Sequence, residues 1–488
     1  MLISATILVP IIAGIIISVL RMEDKARHPW YAGTIIATDV LGILAMMSGS
    51  SLRLFSFAEG IDLYFEIDAI GRFFMVMVMI LYTCVIFYAF EYMQMEEREN
   101  VFFAFFVVSF GALLAVCMAG NLVTMYLCFE MATLTSMPLV LHEMTKDAVN
   151  AALKYLFYSI GGALLGLLAV FFVSYYSTEA RFAFGGVLDA ARASANEKVL
   201  LFIIFLGIIG FGTKAGMYPM HGWLPTAHPI APAPASALLS GIIAKAGVIA
   251  IIRLVYFSVG PDFIRGTWVQ YAWMTLCMLT IFMGSMMAFR EKVTKKRLAY
   301  STISQISYIN LGLSLLSLEG LRGGLLHVAA HAASKGCLFL CAGVFIYKLG
   351  KRRVSELRGI GRLMPITMWC FLIASLSLVG IPPMGGFTSK WHIALAAIGD
   401  GMGVYAVLPP VILLISALLT AGYLLPVVVD AFFPGHEEEG HGEHIKKADE
   451  PASGSKEPTP YMWVPMIVLC LTALLVGVFG TNLVTMII

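Results

Sequence analysis

The run GFGTKAGMYPMHGWLPTAHPIAPAPASALLSGIIAKAGVIAIIR, residues 210–253, sets Lys214 and Lys245 in apolar sequence on either side of a segment with prolines at 219, 225, 229, 232 and 234. Proline removes a backbone donor and interrupts a helix. In hydrocarbon such an interruption is tolerated only where protein or water surrounds the freed backbone. A lysine at membrane depth costs at least about 2.5–3.5 kcal/mol, so it normally faces a partner or a polar cavity. The stretch therefore predicts a helical membrane protein built around an internal ionisable path.

Composition agrees. Of 488 residues 59% are hydrophobic and 13% charged, with a mean hydropathy of +0.87, whereas soluble domains carry about 25% charged residues. The net charge of +2 and the lack of a basic patch argue against a nucleic-acid partner. Eight cysteines, with no CxxC and no metal-site spacing, read as small membrane-buried residues. The first apolar stretch lacks a charged leader and a cleavage site, so it reads as a true first helix.

Apolar runs long enough to span a bilayer fall at about 2–20, 31–50, 69–93, 101–119, 121–142, 151–176, 199–217, 235–257, 269–289, 298–317, 321–347, 363–399, 405–430 and 461–486. The expectation is an all-α polytopic membrane protein of about fourteen spans. The basic loops 21–28, 290–297 and 348–362 follow spans one, nine and eleven, so they share one side. The positive-inside rule makes that side cytoplasmic and places both termini outside. The acidic loop 59–68 fits this orientation, while the loop 94–100 lends it no support.

A second interrupted run, SLSLVGIPPMGGFTSKWHIAL (375–395), carries Gly380, Pro382, Pro383, Gly385 and Gly386 just before Lys390. The breaks in spans seven and twelve occupy equivalent fourth places in two five-helix units, the pattern of inverted-repeat transporters. The division is then residues 1–100 (spans one to three), 101–260 (first repeat), 261–433 (second repeat), 434–460 (a charged linker) and 461–488 (last helix). His436, His441 and His444 in the linker read as a solvated loop, with no fourth metal ligand indicated.

Glu130 is the one acid central to span five, and Lys214 is its natural partner. A pair whose separation changes would change its proton affinity; a static ion pair pinning two helices is the plainer alternative. Lys245 lies too deep to snorkel and reads as a relay. His327, His331 and Lys335 follow at i, i+4 and i+8 on one helix face. Histidine suits proton passage because it titrates near neutrality, although helix-to-helix hydrogen bonding would also explain either ring. Ser301, Thr302, Ser304, Gln305 and Ser307 add polar groups in the preceding span. His221 and His228 in the proline segment either gate water or satisfy freed backbone. Lys390 reads as the far-end group, His392 as interfacial, and Lys154 as a modulator of Glu130 or a positive-inside charge.

No nucleotide, haem or cluster-binding pattern is present, so any redox centres would lie on other chains. The segments FEMATLTS, GTKAGMYPMHGWLPTAHPIAPAPASALLSGIIAKAG, KKRLAYSTISQISYINLG, LLHVAAHAASKGCLFL and LVGIPPMGGFTSKW together resemble the antiporter-like subunits of respiratory complex I, Mrp-type cation/proton antiporters and membrane-bound hydrogenases. The resemblance covers about residues 70–430. It implies fourteen helices, two inverted repeats and a polar axis onto which Glu130, Lys214, Lys245, His327, His331 and Lys390 map. Without the long lateral helix of the largest complex I member, the chain looks more like the shorter members and the D-type member of the Mrp antiporters. It further implies a proton or proton/sodium translocating subunit of the prokaryotic cytoplasmic membrane, with membrane partner subunits, an optional peripheral redox arm and no cofactor of its own. A purely structural subunit, or the membrane subunit of a proton-driven inorganic-carbon uptake complex with a zinc-containing partner, are the competing readings.

Overall fold

The computed structural model describes residues 1–19, 24–58, 61–399, 401–434 and 456–487. His436, His441 and His444 lie outside the described residues. Two helices open the chain, α1 (Leu2–Val19) and α2 (Asp24–Ser48), followed by strands β1 (Ser51–Ala58) and β2 (Ile61–Glu66). Helices α3 (Ala69–Tyr92), α4 (Glu99–Cys117), α5 (Leu122–Leu141) and α6 (Lys146–Tyr176) come next. The proline segment separates α7 (Glu197–Lys214) from the short α8 (Leu224–Ile230), and α9 spans Ala233–Val259. Then come α10 (Trp268–Arg290), α11 (Thr294–Ser314), α12 (Leu318–Leu349), α13 (Pro365–Val379), α14 (Gly385–Gly399), α15 (Val404–Phe432) and α16 (Pro460–Thr485). Side chains start several of them: Asp68, Asn121, Thr145 and Ser317 accept from the backbone N–H three residues on, ahead of α3, α5, α6 and α12.

The chain is a helical polytopic membrane protein: among the described residues eleven helices are long and apolar enough to cross a bilayer. The expected spans outside that set are the seventh, tenth and twelfth. Their departures are chemical: α7 carries Glu197, Lys198 and Lys214, α11 is rich in hydroxyls, and α13 and α14 have 15 residues each. Charged residues, hydroxyls and short length are thus what weaken the hydropathy signal in these three spans.

Burial separates centre from rim. The apolar window of α9 is 100% buried and that of α12 94%, against 39% for α1, α6, α15 and α16. α9 and α12 therefore form the inner axis, and the outer helices present apolar faces to lipid or partner chains.

Two departures from the sequence expectation matter. The chain is not purely α: β1 and β2 pair as an antiparallel hairpin, Ser51 opposite Glu66, whose second strand lies in the segment read as the acidic loop 59–68, and which docks through Glu66 N to Met118 O (2.8 Å) and Gly120 N to Tyr64 O (3.0 Å). Span eight is not one regular helix either. π turns occupy Leu239–Ile243 and Arg253–Val259, on both sides of Lys245, and such turns frequently mark functional positions.

Candidate functional site: a buried axis of lysines and histidines

Lys214 is the last residue of α7, where the helix dipole favours a cation. Trp223 holds this end from inside the break, its indole N–H reaching Thr213 O at 2.9 Å. The ammonium of Lys214, 1% exposed, donates to Thr133 Oγ1 at 2.9 Å and to the hydroxyl of Tyr155. It also lies 4.5 Å from the centre of the Tyr155 ring. Ser136 Oγ completes the group, 2.8 Å from the Tyr155 hydroxyl. No direct ion pair joins Lys214 to Glu130 among the described residues. Glu130 lies one turn before Thr133 on α5, and its Oε1 is buried without a hydrogen-bond partner. The expected acid–lysine contact is thus replaced by neutral hydroxyls, with the acid one helical turn away.

Lys154 does not modulate Glu130 by contact; its ammonium donates to Thr226 Oγ1 on α8 at 3.0 Å. The two histidines of the break differ. His221 stacks on Tyr218, with centroids 5.8 Å apart. His228 is fully buried, stacks on Phe339 of α12 at 4.8 Å, and has both ring nitrogens without a hydrogen-bond partner among the described residues. The carbonyls left open at the break are satisfied by two residues the sequence reading passed over, Ser236, whose Oγ donates to His228 O at 3.0 Å, and Lys295. Lys295, at the start of α11, donates to Ala231 O and to Pro229 O, the latter at 3.3 Å.

Lys245 sits between the two π turns. Ala244 N–H bonds to Leu239 O, five residues back, so Ser240 O escapes the usual i−4 bond. Lys245 Nζ takes that carbonyl at 2.5 Å and meets His331 Nδ1 of α12 at 2.6 Å. With the lysine charged, Nδ1 accepts and the ring proton sits on Nε2, which has no protein partner among the described residues.

One turn earlier on α12, His327 is held from two helices. Ser389 Oγ of α14 is 2.8 Å from Nδ1, and Gln305 Oε1 of α11 is 3.1 Å from Nε2. The His327 and His331 rings are 6.1 Å apart, too far for a direct hydrogen bond. Lys335, also fully buried, donates to Leu298 O at 3.2 Å. The hydroxyl row of α11 joins its neighbours to the axis: Thr302 Oγ1 to Ser240 Oγ at 2.7 Å and Ser301 Oγ to Tyr423 OH at 2.6 Å.

The second break repeats the first in one respect. Lys390 follows the break in sequence, yet its ammonium reaches back to Leu378 O (2.6 Å) and Val379 O (2.9 Å), the last carbonyls of α13. Both break lysines therefore place a positive charge at the C-terminal end of the first half-helix. The ammonium also lies 5.0 Å from the centre of the Tyr308 ring. His392, read as interfacial, pairs with the Glu319 carboxylate. Among the described residues no group of three or more His, Cys, Asp or Glu is placed to hold a metal ion.

Fold and site together define a class: helical membrane proteins with broken helices around a buried row of lysines and histidines. Residues 119–420 match the family described as NADH:quinone oxidoreductase/Mrp antiporter, TM, and residues 57–103 match the complex I chain 5 N-terminus; the chain belongs to this family and is an antiporter-like subunit. It is 32% identical over 415 residues, 82% of this chain and 78% of the relative, to NADH-quinone oxidoreductase subunit N of Desulforudis audaxviator. Identity to a Na(+)/H(+) antiporter subunit of Alkalihalophilus pseudofirmus is 27%, over 77% of this chain and 76% of that one. Hydrogenase-4 component B of Escherichia coli is 32% identical over 68% of this chain, which spans 51% of that longer relative. The fold is shared with chains of the Mrp complex from Dietzia (TM-score 0.83, 20% identity, 100% of this chain and 96% of that one) and of an archaeal membrane-bound sulfane sulfur reductase (0.82, 22%, 99% and 96%).

Proposed function

We propose that this chain translocates protons, alone or in exchange for sodium, as one membrane subunit of a larger complex, through Glu130, Lys214, Lys245, His331, His327 and Lys390, with Lys335 beside the row. The observation that carries the reading is the Lys245–His331 contact at 2.6 Å, two buried titratable groups within hydrogen-bonding distance of each other. The clusters are separate, which suits stepwise transfer: each lysine has its own oxygen or nitrogen partners, and proton passage between clusters needs water or side-chain motion. Lys154, His221 and His228 are accessory, at the proline break.

In this reading the chain has fourteen spans, with α7 and α8 together making the seventh and α13 and α14 the twelfth. Two inverted repeats occupy residues 101–260 and 261–433, after the three helices of residues 1–100 and before the linker 434–460 and the last helix in 461–488. The shared placement of Lys214 and Lys390 at half-helix ends supports the repeat. The chain sits in a prokaryotic cytoplasmic membrane with both termini outside, beside other membrane subunits. The motive event is a change in the distance between Glu130 and Lys214, which would exchange hydroxyl partners for the carboxylate.

The test is ion movement in vesicles carrying the assembled complex, with Glu130→Gln and Lys214→Ala. Both variants should assemble and fail to move ions. Ion movement at the unaltered rate in either would remove the pair from the path.

A further inference from the structure

Four of the eight cysteines meet where α12, α13 and α16 pack together. Cys337 and Cys341 lie one turn apart on α12, Cys370 on α13 and Cys470 on α16, all buried. Cys337 Sγ is 3.5 Å from Cys470 Sγ and 3.9 Å from Cys341 Sγ. The Cys337 and Cys470 thiols converge on one acceptor, the carbonyl of Cys370, at 3.7 and 3.5 Å.

Geometry discriminates between the pairs. A disulfide needs Cβ atoms about 3.5–4.5 Å apart, whereas residues i and i+4 on a helix hold theirs about 5–6 Å apart. Cys337 and Cys341 are therefore a poor pair despite their proximity. Cys337 and Cys470 lie on different helices and need only draw two sulfurs together by about 1.5 Å to reach bonding distance.

The place of this pair gives it leverage. Cys337 follows Lys335 by two residues on the helix that carries His331 and His327. α16 packs on the second break, where Thr388 Oγ1 donates to Gly477 O at 3.1 Å. A Cβ on Gly477 would stand 1.9 Å from Pro383 O. α12 touches the same break through Ser334 and Ser377, 2.9 Å apart.

We propose that Cys337 and Cys470 are an oxidation site whose disulfide ties α12 to α16 and arrests movement at the second break. The oxidant is a membrane-soluble organic hydroperoxide. One thiol sulfur attacks the peroxide oxygen, the O–O bond breaks, an alcohol leaves with the thiol proton, and a sulfenic acid remains. The second thiol displaces water from that sulfenic acid, forming the S–S bond; two thiols are oxidised and one peroxide is reduced to alcohol and water.

Sequence provides a clean assay, because Cys470 is the only cysteine after residue 370. A protease site is placed within residues 434–459 of the full chain in membranes, which are treated with cumene hydroperoxide, blocked with N-ethylmaleimide, cleaved and run under denaturing, non-reducing conditions. The C-terminal fragment should stay attached and be released by reductant. It should come free in Cys470→Ser and Cys337→Ser, and stay attached in Cys341→Ser and Cys370→Ser. A fragment released from the oxidised unsubstituted chain, or retained when Cys341 but not Cys337 is present, overturns the pairing. The arrest rests on the proposed ion path, and is read in vesicles: oxidation should abolish ion movement, reductant should restore it, and Cys470→Ser should be indifferent to oxidant. Undiminished movement in fully cross-linked protein overturns the arrest. Absence of ion movement before any oxidation would instead count against the ion path, and the cross-link readout would stand by itself.

Discussion

Lys245 Nζ and His331 Nδ1, 86 residues apart in sequence, stand 2.6 Å from each other at the junction of α9 and α12. The contact exists because a π turn frees Ser240 O to orient the ammonium. If the proposed path runs through this contact, removing either partner should interrupt it, and a positioned acid or base is typically worth about 100-fold or more in rate. Lys245→Ala and His331→Ala are each expected to lower ion movement by that order in vesicles. His331→Gln, which can still accept from the lysine but cannot release a ring proton, should fail as fully as His331→Ala. Recovery of ion movement by glutamine would assign His331 a structural role only.

Tyr155 and Thr133 hold Lys214, so their effects should differ from those of the lysine itself. Tyr155→Phe keeps the ring under the ammonium and removes one acceptor; Thr133→Val removes the other. Each leaves a buried cation short of a partner, a cost of about 1–3 kcal/mol, visible as a lower unfolding temperature in detergent. If the hydroxyls compete with Glu130 for the lysine, both variants should also drive Lys214 toward the acid. The combination Glu130→Gln with Tyr155→Phe should then be more destabilising than the sum of the two single changes. Simple additivity would mean that Glu130 and Tyr155 do not share the lysine.

These relationships show where sequence was legible. The first break was readable because prolines and lysines are loud signals in apolar sequence, and Gly380 to Gly386 marked the second for the same reason. The π turn before Lys245 was not, since LSGII carries no residue that forbids a regular helix. Tyr155 looks like any core aromatic until a lysine 59 residues away arrives at its hydroxyl. The Glu130–Lys214 pairing was inferred from the cost of isolated charge, and that rule cannot tell a carboxylate from two hydroxyls as the direct contact. The histidine row was legible as a face, but its division into one ring facing Lys245 and another facing Gln305 and Ser389 depends on helices distant in sequence.

Arg253 and Asp68 form a second ionic contact that periodicity did not show. The guanidinium, 1% exposed, holds both carboxylate oxygens, at 2.5 and 2.7 Å, across 185 residues. Burial pushes the Asp68 carboxyl up, but the Arg253 guanidinium together with the Gly71 backbone N–H outweighs it and holds the group below the usual carboxylate range. A depressed carboxyl stabilises the fold above its unfolded value and loses that contribution as pH falls through the lower folded value. Stability measured against pH should therefore decline below about pH 4, and Asp68→Asn should flatten the decline while lowering stability at neutral pH by about 1–3 kcal/mol. An acid limb unchanged in Asp68→Asn would show that other carboxylates set it.

Lys390 depends on how closely α14 returns to α13. Gly380 ends α13 with φ of 92°, and a Cβ on Gly386 would stand 1.7 Å from Ser377 O, so the two half-helices touch backbone to backbone. That closeness lets the ammonium of Lys390 reach Leu378 O and Val379 O, where the end of the helix dipole favours it by about 0.3–2 kcal/mol. It also brings Ser389 to His327. Gly386→Ala must push the half-helices apart and should cost at least about 1–3 kcal/mol, lowering the amount of assembled protein and its unfolding temperature. Lys390→Ala removes only the cation from carbonyls that the lysine capped, so assembly should persist while ion movement is lost. The two variants thus separate the packing of the break from its charge: equal loss of assembly in both would make Lys390 a structural cap, and full ion movement in Lys390→Ala would place the end of the path elsewhere.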